Sequence, residues 1–392
     1  KARFENIWLG LYSLIANCNA IIGHCGNGNS VLSDVYYNMI KGEAIGLRAM
    51  MHLDLLRMFG PIWSDTGKDV KCMPYMTRAD RAVEPLLTAD SVMWYIIKDL
   101  ETASSLLSSV GTTSSCTGAA SGSCRVGAND MNYRQYRMNY FAVNALIARA
   151  YLWSGNKEKA GEYARMVIEQ VNKGSDPLFP LVDATYMGAN SDRMFSPEVL
   201  FSLYNTSRKS VVYDVLFTYS LSTTSILSMA GKRETGRISI TYDDENDYRY
   251  KMWESTVVNN TEVTYLTKFK DETRTGAEAY RYMMPLIRMS ELYLIAAECE
   301  TDVQKALDNY FNPLRFSRNC VNQNAIDEDA LKNLIRAEYV REFIGEGQLF
   351  FYYKRNGLQN IPDGATVSSV KSMSLDSYVF PLPDGETSQR AN

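Results

Sequence analysis

The sequence predicts a mostly α chain of antiparallel helical hairpins carrying a loop-rich insertion. Apolar residues recur at three- and four-residue spacing over most of the chain, and small residues stand where paired helices would touch. From Pro177 to about residue 270 that period gives way to prolines and short runs of β-branched and aromatic residues.

Phe4, Ile7, Leu11, Leu14, Ile15, Cys18, Ile21 and Ile22 define a first helix, with Gly23 placed to end it. Residues Ile7 to Ser33 carry no formal charge, yet Asn17, Asn19, Asn27 and Asn29 argue against a membrane span, where their amides would be buried unpaired. A second helix covers Lys41–Phe59 and stops at Gly60-Pro61. A third covers Ser91–Leu107, with Val92, Ile96, Leu100, Ala103 and Leu107 on its inner face. Ser108–Cys124 holds twelve Ser, Thr or Gly in seventeen residues and reads as a flexible excursion. Asn139–Trp153 and Lys157–Val171 form a hairpin turning at Ser154-Gly155-Asn156, and Ala150, Ala160 and Ala164 allow the close approach of a tetratricopeptide-type pair. The loop-rich stretch, with runs such as Val199–Tyr204 and Arg237–Tyr242, reads as loops with a few short strands and one helix at most. Helices return at Leu286–Cys299, Val303–Asn319 and Asp329–Tyr353.

A net charge of −4 over 392 residues excludes an electrostatic nucleic-acid binder. Two histidines leave little for histidine catalysis or a histidine-rich metal site. Seven cysteines form no C-x-x-C pair; Cys18 with Cys25, or Cys116 with Cys124, stand close enough in sequence to bridge. No nucleophile elbow, phosphate loop or zinc-protease motif is present, so no catalytic residue, metal ligand or cofactor is expected. Asp243–Asp247 lacks the glycine and distal glutamate of a calcium loop and reads as a solvated turn. Glu338, Arg341, Glu342 and Glu346 share one helical face, where pairing with Arg288, Arg315 or Arg341 makes a structural ion network. His52, Trp94, Trp153 and the run Phe350–Tyr353 are assigned to packing.

In chain order, the following blocks recur: Trp8…Tyr12…Ile15…Asn19-Ala20-Ile21-Ile22; Gly42-Glu43-Ala44…Arg48-Ala49…Leu56-Arg57-Met58-Phe59-Gly60-Pro61; Asp99-Leu100-Glu101…Ala103; and the Ala145–Ile168 hairpin. They continue with Ser196-Pro197-Glu198-Val199-Leu200-Phe201, Asp247-Tyr248-Arg249, Lys268-Phe269, Pro285 to Leu294, Arg315…Arg318, Glu338…Arg341-Glu342-Phe343…Glu346-Gly347 and Val379-Phe380-Pro381-Leu382-Pro383. Together they resemble the SusD/RagB family of outer-membrane nutrient-binding lipoproteins. The chain departs from the family pattern at Gln348-Leu349 and at Tyr352.

The resemblance implies one SusD-like domain over 1–392. Its α-α superhelix would use 1–59, 88–107, 139–171 and 285–356, with an insertion at about 177–270. It also implies preceding sequence with a signal peptide and a lipid-bearing cysteine, so a chain beginning at Lys1 is expected to be processed or truncated. The implied role is non-catalytic binding of an oligosaccharide or polysaccharide on the outer membrane, lipid-anchored and facing outward. The ligand would pass to a SusC-like TonB-dependent transporter. Capture of peptide or another nutrient is the alternative, ahead of a tetratricopeptide scaffold for protein partners.

The 26 tyrosines and five tryptophans are the remaining functional signal, since flat apolar rings stack on pyranose faces. Those expected on loops or exposed ends are Trp8, Trp63, Tyr75, Tyr204, Tyr213 and Trp253, with Asn205 and Arg208 as polar partners. The resemblance favours Trp8, Tyr204 and Tyr213, because the family's ligand surface gathers residues from the first helix and the insertion.

Overall fold

The computed structural model describes residues 2–28, 31–80, 82–110, 134–175, 177–184, 187, 192–222, 224–273, 277 and 280–390. From residue 111 onward the predicted Ser108–Cys124 excursion, with Cys116 and Cys124, lies outside them. The fold is mostly α. Five long helices follow one another: α1 (Ala2–Cys25), α2 (Asp34–Phe59), α3 (Ala89–Ser108), α4 (Tyr140–Trp153) and α5 (Lys157–Val171). Each packs on the next, and α5 then packs on α6 (Met289–Cys299). A helical segment α7 (residues 303–317) follows, with a π turn at Leu307–Phe311, and then α8 (Glu328–Phe343) and α9 (Gln348–Arg355).

Local chemistry accounts for most of these boundaries. Thr88, Asn139, Asn156 and Asp327 each accept a backbone N–H from the first turn of the helix they precede. The α4–α5 hairpin turns through Gly155 as expected. Two other glycines permit close helix contact. A Cβ on Gly42 would lie 2.8 Å from Leu107 Cγ, and one on Gly161 would lie 2.9 Å from Cys299 Cβ.

Four expected boundaries differ. Helix α1 runs past Gly23 to Cys25, and Gly26, at φ 58°, follows its end. Helix α2 starts at Asp34 rather than Lys41, with an acidic first turn that suits a helix N-terminus. Residues 283–288 form a strand before α6, because Arg288 and Ile287 pair with Val199 and Phe201. The expected single helix Asp329–Tyr353 is two, broken where Gly345 and Gly347 take φ values of 79° and 74°.

The insertion holds β3 (Val199–Tyr204), antiparallel to β6 (Met283–Arg288), and the hairpin of β4 (Trp253–Val258) and β5 (Thr261–Leu266). Asn259 and Asn260, at φ 49° and 62°, make the hairpin's two-residue turn. Arg237–Thr241, one of the runs read as short strand or helix, is one helical turn. Its Ile238 is buried while Ile240 is 56% exposed, and Arg237 is fixed by donating to the carbonyls of Thr366 and Ser369. Tertiary contact overrides the β-branched pattern there. The pairs β1 (Lys71–Met73) with β2 (Leu87–Thr88) and β7 (Asn360–Pro362) with β8 (Val370–Ser372) are small clips.

Two large apolar cores result among the described residues, beside a small cluster of Val340, Tyr353 and Tyr378. One joins α1–α9 and runs from Ile15 and Leu53 to Phe311 and Ile335. The other belongs to the insertion and holds Phe195, Tyr213, Phe217, Trp253, Phe269 and Met283. A buried ion network lies against both, since Arg288 sits over the rings of Phe343 from the first core and Phe195 from the second. Glu342 accepts from Arg249 at 2.7 Å and Arg318 at 2.7 Å, and also from Arg288. Glu338 accepts from Arg249 at 2.6 Å, Arg341 at 2.7 Å and Arg315 at 3.1 Å. Glu198, Asp247, Glu346 and Lys268 belong to the same set, and Asp243 pairs with Arg315 at 3.1 Å at its edge. The expected pairing of the α8 carboxylates is therefore present, with Glu346 reaching in from the loop after α8. Asp247, expected in a solvated turn, is fully buried against Arg249. Cys18, Cys25, Cys72, Cys299 and Cys320 are free thiols, so Cys18 and Cys25 form no bridge.

Burying a carboxylate is costly unless its partners compensate it, and removing one member strands the others. Glu338→Ala should destabilise the fold by about 3–5 kcal/mol, read from denaturant unfolding. Neighbouring guanidiniums hold Glu338 and Glu342 below the ordinary carboxyl range near 4.5, against the opposing effect of burial. Their folded-state pKa values are depressed, so in acid the unfolded chain binds more protons. Stability should hold from neutral pH down to about pH 5 and then fall as pH drops through and below 4.5. A melting temperature unchanged between pH 6 and pH 3 would contradict this.

Candidate functional site

Tyr204 ends β3, whose first four residues are buried and whose last two are exposed. Its ring is 55% exposed and is flanked by Tyr136 at 5.3 Å and Tyr282 at 5.4 Å, both nearly edge-on. Edge-to-face contacts hold a ring while leaving its face free to stack. The backbone beside it is fixed, because Asn205 N–H donates to the Tyr282 carbonyl at 2.8 Å. The Asn205 side-chain oxygen accepts from Ser207 N–H at 3.0 Å, leaving its amide nitrogen without a partner among the described residues. Arg281 lies over Tyr282 at 5.1 Å and pairs with Asp271 at 2.8 Å. An open tyrosine, an amide and an arginine thus share one face of the insertion.

Arg208, expected to meet ligand hydroxyls, is buried and does other work. It donates to the carbonyls of Tyr280 at 3.1 Å and Met283 at 2.9 Å, fixing the chain that enters β6. Burial pushes its pKa down to about 10. It positions the tyrosine cluster from behind and offers no surface.

Four of the six aromatic candidates are also buried, contrary to their expected exposure. Trp253 is 1% exposed and its indole N–H donates to the Tyr242 hydroxyl at 3.3 Å. Tyr213 lies in the insertion core. Trp8 is wedged between Tyr12 and Phe59, both at 4.9 Å. Tyr75 donates to Asp99, which also accepts two N–H groups of Arg48 at 2.8 Å. It stacks on His52 at 3.9 Å. His52 is packed as expected: Nδ1 donates to the Arg48 carbonyl, Nε2 accepts from Met76 N–H, and burial pushes its pKa down to about 3. Trp63 is half-buried against the helical core.

The converse error is Trp94. Expected in the core, it is 54% exposed on α3, with Lys98 Nζ 4.7 Å from its ring. Tyr95 meets its edge at 4.9 Å and stacks on Tyr75 at 5.1 Å, so an open Trp94–Tyr95 pair rests on the buried Tyr75–His52 pair. The polar residues four places on either side of Trp94, Asp90 and Lys98, are the sequence signal that it faces outward. Trp8 also contributes to the floor of a cavity of about 310 Å³ between α1 and residues 74–84, rimmed by Arg78, Asp80 and Glu84. No described helix is long and apolar enough to cross a membrane.

A family model described as the SusD family matches residues 190–392. A second, described as starch-binding and associating with the outer membrane, matches residues 1–123. Among curated proteins none matches the chain. Several solved structures are similar over almost its whole length. A SusD-like carbohydrate-binding protein from Bacteroides vulgatus has a TM-score of 0.72 at 20% identity, covering 98% of this chain and 83% of that one. A SusD superfamily protein from Bacteroides thetaiotaomicron has a TM-score of 0.69 at 24% identity, covering 95% and 78%. Surface glycan-binding protein A from Bacteroides thetaiotaomicron, in complex with laminarihexaose, has a TM-score of 0.65 at 17% identity, covering 98% and 83%. At such identities the likeness is one of fold.

Burial separates the aromatic candidates by stability. Trp253→Ala should cost about 3–5 kcal/mol, as for other buried tryptophans. Tyr204→Ala should change stability by no more than about 0.5 kcal/mol. Urea unfolding of the two variants checks both values, and a large loss at Tyr204 would show that it is a packing residue.

Proposed function

The chain belongs to the SusD family, and from that premise we propose that it captures an oligosaccharide at the outer face of the outer membrane without cleaving it. The observation that carries this reading is Tyr204, an exposed ring held edge-on by Tyr136 and Tyr282 beside the amide of Asn205. A fixed apolar plate next to hydrogen-bonding groups suits a pyranose, whose C–H face is apolar and whose rim is hydroxylated. The laminarihexaose held by a protein of the same fold supports the ligand class.

Absence of cleavage rests on the state of the carboxylates. The paired acids on α8 are buried and neutralised by arginines, so they are neither open to a glycosidic bond nor poised to donate a proton. Delivery to a SusC-like TonB-dependent transporter, and a lipid anchor upstream, follow in this reading from family membership. Two exposed features of the scaffold suit such a protein partner. Ile7, Leu14 and Ile21 stand seven residues apart on α1 at 39%, 53% and 44% exposure, and the Trp94–Tyr95 pair is open on α3.

Calorimetry against a panel of neutral oligosaccharides tests the site. Tyr204→Ala should weaken binding by roughly tenfold or more, about 1–3 kcal/mol, without loss of helical circular dichroism. Binding that survives Tyr204→Ala intact would remove this face from the site. Incubation with a bound glycan should release no reducing ends; turnover lost in Glu342→Gln but retained in the parent would make the protein an enzyme.

A further inference from the structure

On another part of the insertion's boundary with the helices, three turns enclose a groove of about 860 Å³, within the range of small-molecule sites. Its walls are residues 181–184, the turn 244–248 and the end of α7 with residues 318–322. Phe316 stands in it 78% exposed, with no ring partner among the described residues. Tyr248 is the second aromatic. The amides of Asn246, Asn319 and Asn322 and the carboxylates of Asp183 and Asp244 supply the polar lining, with no lysine or arginine among the described lining residues.

The walls are held rigidly together. Helix α7 ends with Asn319 N–H donating to the Phe316 carbonyl at 3.0 Å and Cys320 N–H to the Arg315 carbonyl at 3.1 Å, while Asn319 sits at φ 62°. That closure fixes the base of the Phe316 side chain. The Asp244 carboxylate accepts from Val321 N–H at 3.1 Å, Tyr248 N–H donates to the Arg318 carbonyl at 3.1 Å, and Asn319 Nδ2 donates to the Asn246 carbonyl at 3.2 Å. Behind them, Asp247, Arg249, Arg315 and Arg318 belong to the buried ion network. The Asn322 side chain has no hydrogen-bond partner among the described residues.

We propose that this groove is a second sugar-binding site, separate from Tyr204, with Phe316 as its stacking plate and Asn246, Asn319 and Asn322 as its hydroxyl-binding groups. The inference rests on the carbohydrate reading above and adds a second location and a charge preference. Asp183 and Asp244 place two carboxylates on the groove wall, and like charge disfavours uronic acids, so the groove takes uncharged sugars. Two sites on one chain would let a long polysaccharide be held at two points, raising avidity without any new contact.

The test is calorimetry and saturation-transfer NMR on the full chain with laminarihexaose, maltohexaose, mannohexaose and an oligogalacturonate. Variants are Phe316→Ala, Phe316→Trp, Asn322→Ala and Tyr204→Ala. Phe316→Ala should weaken or abolish one class of neutral-sugar binding by about tenfold, the scale of losing a well-placed aromatic contact. Phe316→Trp should retain it, Asn322→Ala should weaken it, and saturation transfer to oligogalacturonate should show no dependence on Phe316. If Tyr204→Ala abolishes all sugar binding while Phe316→Ala binds as the parent does, the groove is overturned and the Tyr204 reading stands. If Phe316→Ala is defective and Tyr204→Ala is not, the groove stands alone. If none of the three neutral hexasaccharides binds the parent, the carbohydrate reading fails and the groove proposal with it.

Discussion

The interaction on which the rest depends is the set of ion pairs around Glu338 and Glu342. Isolated, either carboxylate would be expelled from a fully buried position by its desolvation cost. Here each is surrounded by guanidiniums drawn from both parts of the molecule: Arg249 from the insertion, Arg288 from its last strand, and Arg315, Arg318 and Arg341 from the helices. Apolar packing could join the insertion to the scaffold in many relative positions, since dispersion contacts have little directionality. Paired guanidinium and carboxylate groups have a fixed geometry, so the network sets one orientation. Both proposed sugar surfaces inherit their rigidity from it. Arg288 anchors the strand β6 that pairs with Tyr204, and Asp247 with Arg318 backs the turns around Phe316.

Much of this scaffold was legible in the sequence. Helices α1, α3, α4 and α5 show an uninterrupted helical period, the last three with polar N-caps, and the ordered motif blocks led to the correct family. The breaks were less legible. Gly345 and Gly347 could each be tolerated within one long helix; only together, both left-handed, do they separate α8 from α9. The segment 283–288 is apolar enough for either state, and its partner β3 is some 80 residues away in sequence. The alternation in Arg237–Tyr242 suggested a strand because Ile238 and Ile240 share a face in that geometry, whereas the fold buries one and exposes the other.

The proposed site was legible only as a surplus of aromatic residues, not in position. Aromatic content pointed to stacking, yet sequence does not say which loop lies over which ring. Trp8 begins a helix and so looked open, but Phe59 comes from α2 to cover it. Tyr75 lies in a loop and so looked open, but its hydroxyl finds Asp99 and its ring finds His52. Trp94 was assigned inward because helical aromatics usually are, although Asp90 and Lys98 beside it marked a solvated face. Phe316 was passed over for the same reason, as one apolar residue in a helical run.

The ion network also has a consequence for how the chain acquires its shape. Helices α1 to α5 each touch the next in sequence, so that half can condense from contacts between chain neighbours. The network closes over much longer intervals: 89 residues between Arg249 and Glu338, and 120 between Glu198 and Arg318. Such contacts carry a larger loop-closure cost than contacts between chain neighbours. A partly seated insertion would bury arginines and glutamates without their partners, which is costly, so seating the insertion and pairing the charges are one coupled change.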